Sequence, residues 1–261
     1  MIVIAENLNT RNSTYMDAVK RKDLDTIVKL CGELIDRGAD VINVQTSLDG
    51  SGDEEILPEI IKAISDTHDI TLSIDTRNIE ALRRGITHCR KPPFINYLSL
   101  EEDNPEEILS LCRDHKCNLI IRALRGIIPT SLEGKLQCIE ELIEMANASD
   151  IPNGRLFADP SVVHFGSGMG QDHIVSCRDF VVALKELVEP PINTIAWISN
   201  ISVGINRRLS SWLNCNFLLY LAGAGLDAAI VDVLDKDMMK TIYLIRAFRD
   251  EVVFSQADLE G

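Results

Sequence analysis

The stretch Ile70-Thr71-Leu72-Ser73-Ile74-Asp75-Thr76-Arg77-Asn78 sets the pattern of the whole chain: an apolar, β-branched-rich run gives way to short polar residues. Such a run reads as a buried strand, and its polar end marks where the chain leaves the sheet. The pattern recurs in both directions. Strand-like runs lie at 41–44 and 2–5 on one side, and at 94–96, 118–121, 156–158, 194–198 and 228–231 on the other. Amphipathic segments run between them; Leu24, Ile27, Val28, Cys31, Leu34 and Ile35 spell one helical face. Strands separated by a helix pair in parallel through right-handed crossovers. Eight such units in 261 residues predict a (β/α)8 TIM barrel of class α/β, with an open doubly wound sheet as the alternative. No Pro/Ser-rich linker, low-complexity tract or fixed-period repeat divides the chain, so one domain spanning 1–261 is expected.

Charge narrows the function. Lys plus Arg number 26 and Asp plus Glu 40, a formal charge of −14, so nucleic acid would be repelled over most of the surface. The N-terminal Met1-Ile2-Val3-Ile4-Ala5-Glu6 has no basic region and its apolar run stops at an acid, unlike a secretory signal. The apolar stretch Phe217 to Leu226 is too short to cross a bilayer, so a cytoplasmic protein without a membrane partner is expected. Seven scattered cysteines show no C-x-x-C pair and no zinc-ligand spacing, and read as reduced packing residues.

In a barrel, the residues at the C-terminal strand ends face the mouth where such folds keep their chemistry. Here they are Glu6, Asn7 and Asn9; Asn43 and Gln45; Asp75 to Asn78; Asn96; Arg122; Asp159-Pro160; Ser199-Asn200; and Asp232. Any one could simply cap the next helix, but their recurrence on nearly every strand argues for a site. No strand end offers a Schiff-base lysine, and there is no H-E-x-x-H, no Ser-His-Asp ordering and no acid–imidazole cluster of metal type. Amides and carboxylates suit a neutral, hydrogen-bond-rich heterocycle. A carboxylate accepts two parallel N–H bonds from an aminopyrimidinone edge such as a pterin's, and asparagine both donates and accepts.

Glu6-Asn7-Leu8-Asn9, Ser73 to Asn78, Phe94-Ile95-Asn96, Phe157 to Pro160, Ile198 to Ser202 and Gly225 to Ile230 follow one another as do the strand-end motifs of the pterin-binding barrel family. The chain resembles most the branch of methyltetrahydrofolate:corrinoid/iron–sulfur protein methyltransferase. That branch is related to the folate domain of cobalamin-dependent methionine synthase and, more distantly, to dihydropteroate synthase. The resemblance implies a one-carbon methyltransferase acting between N5 of (methyl)tetrahydrofolate and the cobalt of a corrinoid. It implies that Asp75, Asn96 and Asp159 hold the pterin, that Asn200, with Ser199 beside it, lies by N5, and that the protein is a homodimer. Glu6, Asn9, Asn43, Gln45 and Arg207 are further candidates, Arg207 for the anionic folate tail. The corrinoid-binding D-x-H-x-x-G motif is absent, so the cobalamin is expected on a partner protein, and no metal is expected on this chain.

Departures are visible. Asn43-Val44-Gln45 stands where the family has D-x-N, Ala5 where glycine is usual, and Leu8 where arginine is frequent; the segment after Asn200 is one residue short and lacks a glutamine. Dihydropteroate synthase is the enzyme alternative, but it would require a Ser-Arg-Lys anion site where this chain has Ile198-Ser199-Asn200. A non-catalytic folate-binding paralogue is the other alternative. Gly166-Ser167-Gly168-Met169-Gly170 reads as a mouth loop rather than a nucleotide motif, because it lies far from the first strand; His164 and His173 beside it read as exposed loop residues.

Overall fold

A computed structural model describes residues 1–167 and 170–257, the side chains of Arg207 and of residues 167–171 excepted. Along the chain run β1 (Ile2–Leu8), α1 (Ser13–Arg21), α2 (Leu24–Asp36), β2 (Val41–Val44), α3 (Asp53–Thr67), β3 (Thr71–Asp75), α4 (Ile79–Ile86) and β4 (Phe94–Leu98). There follow α5 (Pro105–Asp114), β5 (Asn118–Arg122), α6 (Leu132–Ala148), β6 (Leu156–Asp159), α7 (Gly170–Leu187), β7 (Asn193–Trp197), α8 (Arg207–Gly223), β8 (Ala228–Val231) and α9 (Lys236–Phe248). All neighbouring strands pair in parallel, and β8 returns to β1 with Ile2 opposite Ala228 and Ala5 opposite Val231. The sheet is therefore a closed (β/α)8 barrel, and the open-sheet alternative is excluded.

Period-two alternation divides the apolar residues into two layers. Ile4, Val41, Phe94, Ile120, Phe157, Ile195, Ala228 and Ile230 fill the barrel interior, with Phe94 and Phe157 edge to face at 4.8 Å. Val3 and Ala5, flanking Ile4, join the larger layer between barrel and helices. The interior plug leaves the strand C-termini as the open end. Short polar residues start the helices: Asn12, Asp23, Asn78, Ser131 and Asp235 accept from first-turn N–H groups of α1, α2, α4, α6 and α9, each cap contributing about 1 kcal/mol.

Several strands differ from the sequence reading. β1 continues to Leu8 through a register shift against β2 between Ala5 and Leu8, so Glu6 and Asn7 lie within it. β4 likewise continues past Asn96 to Leu98. β7 stops at Trp197, and Ile198–Ser202 forms a 3₁₀ turn carrying Ser199 and Asn200. His173 is a correction: it is buried in α7 rather than exposed in a loop, because its Nε2 accepts the Val163 N–H at 2.7 Å. His164 is exposed as expected. In the glycine-rich motif, Phe165–Ser167 is a 3₁₀ turn and α7 begins at Gly170, while Gly168 and Met169 lie outside the described residues. All seven cysteines are free, five of them buried. Among the described residues no helix is long and apolar enough to cross a membrane.

Candidate active site

Asp75, the last residue of β3, is the hub of the mouth. Its neighbour in the ladder is Asn96 on β4, and two residues back Ser73 stands opposite Asn43 on β2. Three side-chain amides converge on one carboxylate oxygen: Asn43 Nδ2 at 3.1 Å, Gln45 Nε2 at 3.0 Å and Asn96 Nδ2 at 3.3 Å all donate to Asp75 Oδ2. Asn43 Oδ1 in turn accepts from Ser73 Oγ at 2.8 Å and from Asn96 Nδ2 at 3.1 Å. The departure at β2 thus has a structural meaning. Amides replace what would be a second carboxylate in contact with Asp75, and they orient it without charge repulsion. Oδ1 accepts no hydrogen bond among the described residues, which leaves it available to a ligand. Burial nevertheless pushes the Asp75 carboxyl up to about 6, against the pull of the Asn43 and Gln45 N–H bonds and of the Arg122 charge.

A cavity of about 280 Å³ opens over this hub, at the lower end of the roughly 300–1,000 Å³ usual for small-molecule sites. Asn9, Gln45, Asp75, Asn96 and Asn200 line it together, as do Arg11, Arg77, Arg122, Tyr97 and Trp197. Five candidates named from sequence therefore share one space. The others stand behind it. Glu6 is buried and accepts from Trp197 Nε1 and, at 2.6 Å, from Ser199 Oγ; burial holds its carboxyl above the usual range. Ser199 is thus committed to Glu6. Asn7 bridges β1 to β8, donating to Asp232 and accepting from the Val233 N–H. Asp159 is buried, does not line the cavity, and accepts from the Ser161 N–H at 2.8 Å; burial raises its carboxyl while Arg122 opposes the rise. The Arg207 side chain lies outside the described residues.

Sequence reasoning missed Arg11, Tyr97 and Trp197, while Arg77 is one of the strand-end residues it placed at the mouth. Tyr97 lies between two guanidiniums: Arg77 donates to its hydroxyl at 2.9 Å, and the Arg122 Cζ stands 4.8 Å above its ring. An aromatic one residue past a strand-end asparagine was the available signal, and Tyr97 falls where the β4 register shifts between Asn96 and Leu98. Among the described residues no group of three or more His, Cys, Asp or Glu side chains is placed to hold a metal ion.

This geometry suits a planar polar heterocycle. A carboxylate and two amides form a hydrogen-bonding floor, the Trp197 and Tyr97 side chains add aromatic wall, and arginines stand toward the outside. Residues 5–232 match the pterin binding enzyme family. The chain is similar to a methylcorrinoid:tetrahydrofolate methyltransferase of Eubacterium limosum, 25% identical over 247 residues and covering 93% of this chain and 89% of that one. It is also similar to a dihydropteroate synthase of Clostridium beijerinckii, 26% identical over 241 residues, with 87% and 88% covered. Among solved structures, a Xanthomonas albilineans dihydropteroate synthase with 4-aminobenzoic acid superimposes with a TM-score of 0.72 at 17% identity, covering 97% of this chain and 94% of that one, a likeness of fold. By the match over most of its length, and by a site at the strand ends that suits it, the chain belongs to the pterin binding enzyme family.

Proposed function

We propose that residues 1–261 form a methyltransferase domain that moves a methyl group between N5 of tetrahydrofolate and the cobalt of a corrinoid carried by a separate protein. The observation that carries this reading is Asn200. A neutral amide, rather than the cationic pair a pyrophosphate leaving group needs, follows β7 and lines the same cavity as Asp75. The relative that transfers methyl between a methylcorrinoid and tetrahydrofolate supports it.

In this reading the pyrimidinone edge of the pterin donates to the free oxygen of Asp75, and Asn96 and Gln45 complete the floor. Asp159, paired with Arg122 in the ladder, holds the ring from the β6 side. In one direction the N5–methyl bond breaks, its electron pair stays on nitrogen with a proton from solvent, and the methyl passes to Co(I), giving methyl-Co(III). In the other, N5 attacks the methyl of methyl-Co(III), loses its proton to solvent and leaves Co(I). Both directions develop charge at N5. Asn200 supplies a hydrogen bond there that tightens as the charge appears, and water held by the polar ring relays the proton, because an amide is not itself a net proton source. The protein works as a cytoplasmic homodimer that binds neither nucleic acid nor membrane.

Dihydropteroate synthesis is the competing reading, favoured by the Clostridium relative and by the arginines in the cavity. One assay separates them: tetrahydrofolate with methylcob(III)alamin carriers, followed by the cobalt absorption change, against dihydropterin pyrophosphate with 4-aminobenzoate. Methyl transfer without dihydropteroate formation is expected. Dihydropteroate formation would reverse the conclusion, and folate binding without turnover of either kind would mark a non-catalytic paralogue.

A further inference from the structure

Lys135, in the first turns of α6, is fully buried, a rarity for lysine without a paired acid. No carboxylate lies within ion-pair distance of it among the described residues. Its Nζ donates instead to the Pro160 carbonyl at 2.5 Å. That carbonyl belongs to the peptide unit joining Pro160 to Ser161, and the N–H of the same unit donates to Asp159 Oδ1 at 2.8 Å. The two ends of a peptide plane point in opposite directions, so an ammonium that fixes the carbonyl also aims the N–H at the carboxylate. It also polarises the unit, which strengthens the bond on the far side.

The rest of the turn is pinned too. Ser161 is buried with φ of +58°, a left-handed conformation that costs a non-glycine residue energy and needs its surroundings to hold it. Arg122 Nε donates to Ser161 Oγ at 3.1 Å from the cavity side, and His173 Nε2 on α7 accepts the Val163 N–H at 2.7 Å from behind. The charged and titratable groups around the ammonium are Arg122 on β5, Asp159 on β6, Cys138 on its own helix, and His173 and Cys177 on α7. Burial lowers Lys135, and Asp159 with the two thiols works against that lowering; burial also takes His173 down to about 4, so it stays neutral as an acceptor.

We propose that Lys135 is a positioning residue for the pterin site: through the Pro160–Ser161 peptide it aims and charges Asp159 from behind the barrel. The inference rests on the reading above that Asp159 belongs to that site. It predicts a device distinct from the cavity lining, operating from a helix that contributes nothing else to the mouth.

The test is Lys135→Met, which keeps length and apolar stem and removes the ammonium. The Asp159 carboxyl, followed by carbon-13 NMR in the ligand-free protein and assigned with Asp159→Asn, is expected to titrate about one pH unit higher than in the parent. The dissociation constant of tetrahydrofolate on the acid side of that titration should rise about tenfold, with the acid limb of its pH profile shifted the same way. A merely structural lysine would lower the melting temperature and leave both pH profiles in place, and that result overturns the proposal. Should Lys135→Met not fold, the parent protein decides: slowly exchanging Lys135 ammonium and Ser161 amide protons support the relay, and rapid exchange of either refutes it. Absence of tetrahydrofolate binding in the parent would sink the folate reading, while the ligand-free Asp159 titration still decides whether Lys135 acts on that carboxylate.

Discussion

Asp75 concentrates the site's chemistry in one residue whose two oxygens have different duties. Three amides hold Oδ2, and Oδ1 accepts no hydrogen bond among the described residues, which leaves it open to a ligand. Its folded-state value of about 6 stands above the ordinary carboxylate value of about 3.9. The ionised form therefore opposes folding: the group's stability contribution is fully present below the ordinary value and is lost as pH rises through about 6. A ligand donating N–H bonds favours the ionised form and reverses this. Affinity for tetrahydrofolate should thus strengthen as pH rises through about 6, with proton release visible by calorimetry in buffers of different ionisation enthalpy. Asp75→Ala should weaken binding about 10- to 100-fold, as loss of a charge-assisted bond of roughly 1.5–3 kcal/mol requires; unchanged affinity would remove Asp75 from the site. Asn43→Asp puts a second carboxyl 3.1 Å from Asp75, where two charges share one buried space. The pair should then hold a proton near neutral pH, moving the acid limb of binding upward, and an unmoved limb would show that Asn43 does not sense Asp75. Asn200→Ala belongs to the rate instead. A preorganised group that tightens as charge develops is worth about 10²–10³ in turnover, so single-turnover methyl transfer should slow by that factor while affinity falls less. Wild-type rates from that variant would leave the N5 role without support.

At the level of elements, the strands that were legible to the residue are the ones whose side chains and backbone end together. Val41–Val44 and Ala228–Val231 are short, wholly buried runs bounded by polar residues, so pattern and ladder coincide. β1 and β4 are longer than their apolar runs, because register shifts carry the ladder past Glu6, Asn7 and Tyr97, and a side-chain pattern cannot report backbone pairing that continues through polar positions. The site divides the same way. Asp75, Arg77, Asn96 and Asn200 could be found because strand ends face the mouth, whereas Arg11 reaches it from the loop after β1, whose course depends on tertiary packing. Lys135 and His173 were beyond sequence for a related reason: a polar residue on an amphipathic helix reads as solvent-facing until the β6–α7 segment packs over it. Loop packing also supplies a prediction. Gly50, before α3, has φ of +81°, and a Cβ there would lie 2.8 Å from the Asn78 backbone nitrogen. Asn78 caps α4 by accepting the Ala81 N–H at 2.9 Å and ties back to the Gly50 carbonyl at 3.2 Å. Gly50→Ala combines a left-handed penalty of about 1–2 kcal/mol with displacement of that cap. Thermal melting should fall by at least about 4 °C, and a melting curve unchanged from the parent would show that the loop adapts at no cost.

Across the whole molecule, charge is distributed against the average. The chain carries −14, yet its mouth cavity is lined by Arg11, Arg77 and Arg122 against Asp75 and Glu102. Arg122 is occupied by Tyr97 and Ser161, while Arg11 and Arg77 are exposed and stand toward solvent, Arg77 with one N–H on the Tyr97 hydroxyl. In the proposed reading a pterin ring needs no such cations, because the N–H and carbonyl groups it would present to the Asp75 floor are uncharged. The glutamate carboxylates of a folate do, since they trail out of the mouth into a field that the rest of the surface makes repulsive. An exposed guanidinium–carboxylate pair is worth only about 0.2–1 kcal/mol, so the double variant Arg11→Gln with Arg77→Gln should raise the dissociation constant of tetrahydrofolate by no more than roughly 30-fold. The effect should be screened. It should be largest near 0.01 M salt, where the Debye length is about 30 Å, and nearly gone near 1 M, where it is about 3 Å. Tetrahydropterin, which lacks the tail, is the control that locates the cause: the variant should bind it as the parent does at every salt concentration. An equal loss for the tailless compound would mean that Arg77 holds the wall of the cavity through Tyr97, and that the positive mouth serves the shape of the site rather than the charge of its substrate.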